Sequence, residues 1–550
     1  MKTIKQIKDY FNKEIIFENL NDFNDDIHLE LIFSNTKNIN YIKNYKGFNQ
    51  KKLEELSKGL IFSNTTKNPF LFYKDEILAF KPTLIIVDKL IYDQIINNDN
   101  LINEFSSLQI KLLVIKDIKL DDFLKFFYDL NIKDLNIYGV TGTNGKTSIT
   151  TILYHLSTDL ANYNELFKSS LIGTIKYCIG NNILSKYYVD NSLLTTPDTS
   201  LIYYLLYLSK INKVKNVFME VSSHSLDQNR PQGLYFKISS FTNLTIDHLD
   251  YHKTIENYFN AKRKLFFEYP NDFIVINKNY NNYGKILYNQ LKGINKKNLF
   301  TYVIKSYQFE INKTNFVLNI YKDDELIEIE NSVDVSFTTN LIGLFNVNNL
   351  AIAFINFYIM NKEIFEVDYV KFFREYIKSI NFLEGRLEQI SNEPIVFVDY
   401  AHTPDALENI IKTLVEYKKS LNLGDIYVVF GAGGDRDKSK RPLMGKIVSS
   451  LADKVIITSD NPRNEDPLDI INDILKGIKD RDNVIVEVDR EEAIIKALNS
   501  MKLNDILLIA GKGHENYQII KDKRIFFSDK EVVKNYLSKI KINKQVSKYI

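Results

Sequence analysis

Several things are missing from this 550-residue chain, and each absence narrows what it can be. There is one cysteine, Cys178, so no disulfide can close within the chain, and a reducing, cytoplasmic setting is expected. Tryptophan is absent beside plentiful lysine, asparagine and isoleucine, a bias of composition without functional content. No apolar run reaches the roughly 18 residues that a membrane-spanning helix needs. The opening MKTIKQIKDYFNKEIIF scatters charges among its apolar residues, so a signal peptide is not expected. Net charge is scarce too: 71 basic and 69 acidic side chains leave +2, no footprint for nucleic acid or a membrane surface. The expectation is a soluble protein with neither partner.

What is present suits a multidomain enzyme, because 550 residues exceed a single core. Up to Asp134, short apolar runs such as GLIFS and PTLIIVD alternate with polar segments, which predicts a small α/β domain over 1–134. LNIYGV then runs straight into a glycine-containing loop, and KTSITTILYHLSTDL has helical spacing. NVFMEV, YFKISSFTNL and DFIVIN read as further buried strands, alternating with helices such as TIENYFNAKRKLFFEY. Residues 135–380 are therefore expected to form a central P-loop domain around a mostly parallel sheet. After the linker SINFLEGR, the strands PIVFVDY, IYVVFG, KVIITSD and DILLIAGKG predict a Rossmann-like α/β domain over 381–550. The lysine-rich end KIKINKQVSKYI reads as solvated. The predicted fold class is α/β, in three domains.

The chemistry gathers at strand ends. In TGTNGKT, Val140 stands where a phosphate loop usually has its first glycine, and Gly142 sits inside the loop instead. Backbone N–H groups there can converge on phosphate oxygens, Lys146 can reach the β/γ-phosphates, and the Thr147 hydroxyl can join a Mg²⁺ shell. The alternative is a glycine turn that merely precedes a helix. Glu220 closes the strand NVFMEV, where a carboxylate can hold Mg²⁺. Ser222, His224, Gln228 and Arg230 follow closely, as a binding loop or a plain surface loop. In DHLDYH, His248 is a candidate metal ligand beside Asp247, Asp250 and His252. Five of the seven histidines (His224, His248, His252, His402, His514) fall in such clusters, which favours a functional reading.

Lys262, beside Leu265, Phe266 and Phe267, reads on physical grounds as a surface lysine with a snorkelling stem. Arg386 suits charge on a transferring phosphoryl group, and Asp399 at a strand end suits ribose hydroxyls. GAGGDRDKSKRPLMG carries Arg436, Lys440 and Arg441, suited to carboxylate or phosphate capture. TSDNPRNEDP places Arg463 after a strand, stiffened by Pro462, and GKGHENYQ adds Gly511, His514 and Glu515. Any of these alone could be a charged turn; three at successive strand ends read as one ligand site.

GVTGTNGKTS, TTPD, EVSSHSLDQNR, DHLDYH with AK, GRLE, DYAHTPDALE, GGDRDKSKRPLMG, DNPR and GKGHE occur in the order found in the Mur ligases. The chain resembles that family from Leu135 to Asp529, and most of all its members that add 2,6-diaminopimelate. The resemblance implies an ATP-dependent ligase of peptidoglycan precursor synthesis. It would join meso-diaminopimelate to the D-Glu of UDP-MurNAc-L-Ala-D-Glu through an acyl phosphate. It implies that Gly142, Thr143, Asn144, Gly145, Lys146, Thr147 and Ser148 cradle ATP, with Thr147 and Glu220 on one Mg²⁺ and His248 on a second. Lys262 matches a lysine carbamoylated to N6-carboxylysine, a further metal ligand, which displaces the surface reading. Asn277 and Asn346 match positions near adenine, and Arg386 and Asp399 match γ-phosphate and ribose contacts. Lys146, Glu220, His248, Lys262 and Arg386 form the implied catalytic set.

Thr195, Thr196, Ser222, Gln228 and Arg230 match contacts to the UDP-MurNAc-dipeptide. Arg436, Asp460, Asn461, Pro462, Arg463, Gly511 and Glu515 match the diaminopimelate pocket. There Arg463 would hold the far carboxylate that lysine lacks. The implied partners are these small molecules, and a monomer is expected. Two departures stand out. Leu194 replaces an asparagine before the two threonines, and the uridine motif is replaced at best by FSNT (Phe33 to Thr36). Three other readings remain: ligation of lysine or ornithine, a folylpolyglutamate synthase-like sister enzyme, and a P-loop UDP-sugar-binding regulator that ligates nothing. Asp-Asn-Pro-Arg argues against the lysine-adding and folylpolyglutamate enzymes, and the Glu220, His248 and Lys262 set against the regulator.

Overall fold

The computed structural model describes residues 2–11, 15–18, 29, 31–33, 58–62, 77, 80, 82–96, 104–105, 107–116, 118–186, 194–310, 312–361, 368–380 and 383–546. They form an α/β protein with three sheets and a two-stranded ribbon. Among the described residues no helix is long and apolar enough to cross a membrane. Most of FSNT, from Ser34 to Thr36, lies outside the described residues. Contacts divide the chain into two compact units. The first comprises Met1–Thr141, Leu153–Ser240 and Asn260–Phe273; the second comprises Gly142–Ile152, Phe241–Phe259 and Ile274–Ile550.

In the first unit, β1 (Ile15–Glu18), β2 (Leu31–Phe33), β3 (Lys58–Phe62), β4 (Leu84–Asp88) and β5 (Lys111–Ile115) form a sheet in the order β1-β5-β4-β3-β2. Only β1 runs antiparallel to its neighbour. Every residue of β4 is buried, as a continuous apolar run requires when both faces are covered. The same unit holds β6 (Asn136–Thr141), β7 (Ser169–Ile172), β8 (Lys176–Ile179), β9 (Asn182–Lys186) and β10 (Asn216–Glu220). β10 lies between β6 and β7, parallel to both, and its register sets Glu220 opposite Val140. Glu220 thus closes its strand beside the one that feeds the phosphate loop. β8 and β9 extend the array as an antiparallel hairpin. β11 (Phe236–Phe241) ends this stretch, and β12 (Asn271–Ile276) follows it.

In the second unit, the end of β12 pairs in parallel with β13 (Leu299–Glu310), which forms a long antiparallel hairpin with β14 (Lys313–Lys322). β15 (Glu325–Leu326) and β16 (Val335–Thr339) add to β14. Buried positions alternate along β14, the period of a strand covered on one face. This hairpin was not evident from the helix–strand alternation, because a hairpin needs only a tight turn, here at Asn312 with φ +55°.

β17 (Glu388–Asn392), β18 (Ile395–Asp399), β19 (Ile426–Phe430), β20 (Lys454–Ile457), β21 (Val484–Val486) and β22 (Ile506–Ala510) build the last sheet, in the order β17-β18-β22-β19-β20-β21. It is parallel apart from β17. Phe397, Val428, Phe430 and Leu508 face one apolar core, while Val396, Val398, Val429 and Ile509 face another. Period-two alternation fills a core on both sides, and the turns after the strands are left to carry polar groups. β23 (Tyr517–Ile520) and β24 (Lys523–Phe526) form the ribbon. Part of the lysine-rich end is helical, within Asp529–Val546.

Candidate active site

The phosphate loop follows β6 and opens the helix Lys146–Ala161. The inner position of its first glycine has a steric cause. A Cβ on Gly142, at φ +150°, would lie 1.8 Å from Thr242 Oγ1, and one on Gly145, at φ +91°, 2.4 Å from Asn349 Oδ1. The stretch after β11 grips the loop. Asn144 N–H donates to Asn243 Oδ1 (3.0 Å), Thr242 Oγ1 donates to the Asn144 carbonyl (2.6 Å), and Thr245 N–H donates to Thr143 Oγ1 (3.0 Å). Thr143 Oγ1 also meets Tyr258 OH at 3.2 Å. Lys146 Nζ donates to the carbonyls of Gly142 and Thr143, both at 2.9 Å, so the ammonium sits over the loop. Thr147 and Ser148 are buried.

His248 adopts a left-handed backbone (φ +53°), and its Nε2 lies 3.4 Å from Asp247 Oδ2. Burial pushes the Asp247 carboxyl up, but His248, His402 and Lys440 together hold it below its ordinary range. The helix Pro404–Leu421 begins beside the loop, capped by Thr403, and Asn144 Nδ2 donates to Asp405 Oδ2 at 3.2 Å. A cavity of about 770 Å³ opens here, with Asn277, Tyr280, Tyr302, Asn348, Asp405 and Asn409 among its lining. Asn277 Nδ2 donates to Asn348 Oδ1 (3.1 Å), and Asn409 Nδ2 donates to Tyr280 OH (3.1 Å). Asn346 is buried but not part of this lining; its Nδ2 donates to the Ile342 carbonyl and its Oδ1 has no partner among the described residues.

Arg386 lies 4.9 Å over the Tyr400 ring, with its Nε buried and without a hydrogen-bond partner among the described residues. Asp399 accepts from the N–H groups of Leu387 and Ala401, both at 2.6 Å. Burial raises its carboxyl above the ordinary range, against the pull of Arg386 and those two donors. Burial, then Arg386, pushes His514 down to about 3. Glu388 accepts from Gly385 N–H at 2.8 Å and pairs with Lys530, which gives it a structural use.

The Arg463 guanidinium and the Arg436 stem lie beside Gly433. A Cβ there would lie 3.0 Å from Arg463 Nη1 and 3.7 Å from Arg436 Cγ. Arg463 Nη1 also donates to the Gly434 carbonyl at 2.8 Å. Asn461 Nδ2 donates to Glu515 Oε2 at 2.9 Å, and the Asp460 carbonyl accepts from Gln518 Nε2 at 2.8 Å. Pro462 is buried, and Gly511, at φ +116°, passes close to Asp460 Oδ2. Arg441 belongs elsewhere. It is fully buried and clamped to Glu465 (3.0 and 2.8 Å) and Asp473 (3.0 Å), so the anion-capture reading is corrected to a structural one.

In the first unit, Glu220 is 1% exposed and accepts from Thr174 N–H (2.7 Å) and Thr174 Oγ1 (3.0 Å). Thr174 Oγ1 is also within hydrogen-bond distance of Thr195 Oγ1, at 3.0 Å. Thr196 Oγ1 donates to the Glu220 carbonyl (2.7 Å) and accepts from Ser222 N–H (2.9 Å). Arg230 Nη1 donates to the Thr196 carbonyl (2.7 Å), and Arg230 Nε donates to Gln228 Oε1 (2.9 Å). Thr195, Thr196, Ser222, Gln228 and Arg230 therefore form one connected set. Leu194 is 41% exposed beside them. Lys262 is 1% exposed, so the snorkelling reading is overturned. The helix Ile255–Phe267 turns it inward, which its neighbours' apolar character did not reveal. Among the described residues no three His, Cys, Asp or Glu side chains cluster as a metal site by themselves. The sequence reading missed Thr242, Asn243, Tyr258, Tyr280, Asn348, Asp405 and Asn409. Of these, only Thr242 and Asn243, directly after a strand in FTNLT, gave a signal.

A glycine-containing phosphate loop on a parallel strand, followed by a separate parallel sheet with polar strand-end turns, defines a P-loop α/β protein with a Rossmann-like partner sheet. The Mur ligase middle domain matches residues 140–356, and the Mur ligase glutamate ligase domain matches 385–513. The UDP-N-acetylmuramoyl-L-alanyl-D-glutamate–2,6-diaminopimelate ligase of Aquifex aeolicus is 40% identical over 434 residues, covering 78% of this chain and 84% of the relative. The protein of that name from Clostridioides difficile is 42% identical over 423 residues, covering 75% and 81%. A solved structure of that name is 28% identical, with a TM-score of 0.54 over 88% of this chain and 92% of the other. The chain belongs to the Mur ligase family.

Proposed function

We propose that the chain is the ATP-dependent ligase that joins meso-diaminopimelate to UDP-MurNAc-L-Ala-D-Glu in peptidoglycan precursor synthesis. A carboxylate is a poor acyl donor, because its charge repels nucleophiles and it has no good leaving group. Transfer of the γ-phosphoryl group of ATP to the D-Glu side-chain carboxylate gives an acyl phosphate and ADP. The amine of the diamino acid then attacks the acyl carbon, and loss of inorganic phosphate and a proton leaves the amide. Lys146 and Arg386 offset charge on the phosphoryl group in transfer. Gly142 to Ser148 hold the polyphosphate, Asn277 and Asn346 the adenine end, and Asp399 the ribose. Thr195, Thr196, Ser222, Gln228 and Arg230 hold the UDP-sugar dipeptide.

The Thr147 hydroxyl and the Glu220 carboxylate are hard oxygen donors, the ligand chemistry that Mg²⁺ takes. Thr147, Glu220, His248 and a carbamoylated Lys262 would hold two such ions. Bound Mg²⁺ supplies neutralisation of phosphate charge. Buried Lys262 gains its carboxylate when its neutral amine adds to CO₂ and releases a proton. We assign 1–134 to the UDP-sugar end, 135–380 to ATP and 381–550 to the amino acid, in a cytoplasmic monomer.

The observation that supports the choice of amino acid is the Arg463 guanidinium held beside Gly433 and Gly434. The Arg463 guanidinium matches the second carboxylate of meso-diaminopimelate, and lysine or ornithine would leave it underpaired. The test gives the purified chain ATP, Mg²⁺ and the UDP-linked dipeptide with each diamino acid in turn, following phosphate release and product mass. The expected result is ligation of meso-diaminopimelate far ahead of the others, and a loss of at least about a thousandfold in Lys146→Ala. Phosphate release without any amide, or Lys146→Ala at the normal rate, overturns the reading.

A further inference from the structure

In Gly511-Lys512-Gly513 the lysine had no assigned role, yet it is the most enclosed cation of the amino-acid pocket. Lys512 is 0% exposed. That is rare for lysine, because desolvating an ammonium is costly unless it is paired. The flanking glycines show how the chain achieves it. Both have left-handed backbones, at φ +116° and +53°. A Cβ at Gly511 would lie 2.4 Å from Asp460 Oδ2, and one at Gly513 2.7 Å from Tyr400 Cβ. The chain leaving β22 therefore turns tightly, and the Lys512 side chain runs inward.

There its Nζ donates to Asn461 Oδ1 and Glu515 Oε2, each at 3.2 Å, and lies 3.9 Å from Asp460 Oδ1. It also lies 5.4 Å over the Tyr517 ring. Asn461 closes a triangle by donating to the same Glu515 oxygen, while its own Oδ1 also accepts from Ile519 N–H at 2.9 Å. The neighbouring buried cation, Arg490, is matched by a bidentate pair with Asp529 (2.7 and 2.8 Å). Lys512 is thus the cation in direct hydrogen-bond contact with Asn461 and Glu515.

We propose that Lys512 is a positioning residue, which together with Asn461 fixes the Glu515 carboxylate to receive an ammonium group of the incoming diamino acid. The proposal rests on the function proposed above. It is tested by steady-state kinetics of the full chain carrying Lys512→Met, Lys512→Gln, Glu515→Gln and the combined changes. Lys512→Met should raise KM for meso-diaminopimelate about ten- to a hundredfold, the range for losing hydrogen bonds to a charged group. KM for ATP and kcat at saturation should stay within about twofold. Lys512→Gln, which keeps a donor but loses the charge, should fall between. With Glu515→Gln already present, Lys512→Met should add less than about threefold, because the two act as one unit.

Equal losses from Lys512→Met with and without Glu515→Gln, or a KM for ATP that rises in step, mark a merely structural residue and overturn the proposal. If Lys512→Met gives no melting transition, the Lys512→Gln side of the cycle decides by the same criterion. A wild-type chain that ligates no diamino acid overturns the functional reading and this proposal together. A wild type that ligates normally while Lys512→Met keeps its KM overturns this proposal alone.

Discussion

Around the phosphate loop, the side chains that hold it are almost all neutral: Thr143, Thr242, Asn243 and Tyr258. Around Gly433 and Gly511 they are mostly charged: Arg436, Arg463, Asp460, Lys512, Glu515, Arg490 and Asp529. The contrast follows from the proposed ligands. A polyphosphate brings its own charge, which backbone N–H groups and one ammonium can receive without preset counter-charges. A diamino dicarboxylic acid brings both signs, so its pocket must hold both signs apart in a buried place. Each buried charge then needs a partner of its own. The loop is held by hydrogen bonds that tolerate small losses, and the pocket by ion pairs that do not.

The sharpest break of this contrast is Arg463→Ala. It removes the guanidinium tethered to the Gly434 carbonyl, while the charges of Arg436, Asp460 and Glu515 remain. KM for meso-diaminopimelate should rise about a hundredfold, the scale of about 3 kcal/mol for one charge-assisted pair. KM for ATP should not move. Equal losses in both would mean that the two regions are not separate in their chemistry.

Gly145→Ala tests the neutral side. Its φ of +91° is strained for an L side chain, and the new Cβ would stand 2.4 Å from Asn349 Oδ1. An amide end can swing aside, so the backbone strain dominates, at about 1–3 kcal/mol. The expected outcome is a rise in KM for ATP of about tenfold, read by steady-state kinetics, with the amino-acid KM unchanged.

How far the sequence shows these two regions depends on what carries the signal. The loop was legible because glycine, lysine and threonine in that order after a β-branched run have few other uses. The arginine turns were legible because they close apolar strands. Arg441 misled because its partners, Glu465 and Asp473, are 24 and 32 residues away, and a basic turn gives no sign of a distant carboxylate. Lys262 misled because a helix pattern shows which residues share a face but not what covers it. The cavity lined by Tyr280, Asn348 and Asn409 went unread because those residues come from separate segments. The antiparallel hairpin of β13 and β14 is not legible because an apolar–polar alternation marks a strand but neither its partner nor its direction.

The smallest expected effect tests the neutral grip most directly. Asn243 both accepts from Asn144 N–H (3.0 Å) and donates to the Asn144 carbonyl (3.3 Å). Asn243→Ala removes both bonds, yet Thr242 still donates to the same carbonyl at 2.6 Å and Gly142 and Gly145 keep their turns. The loss is therefore confined to one backbone N–H, worth about 1 kcal/mol when water can replace the partner. KM for ATP should rise about fivefold, with the melting temperature and the meso-diaminopimelate KM nearly unchanged. A loss as large as that of Arg463→Ala would show that the loop, too, depends on a single irreplaceable contact, and the contrast between the regions would fall.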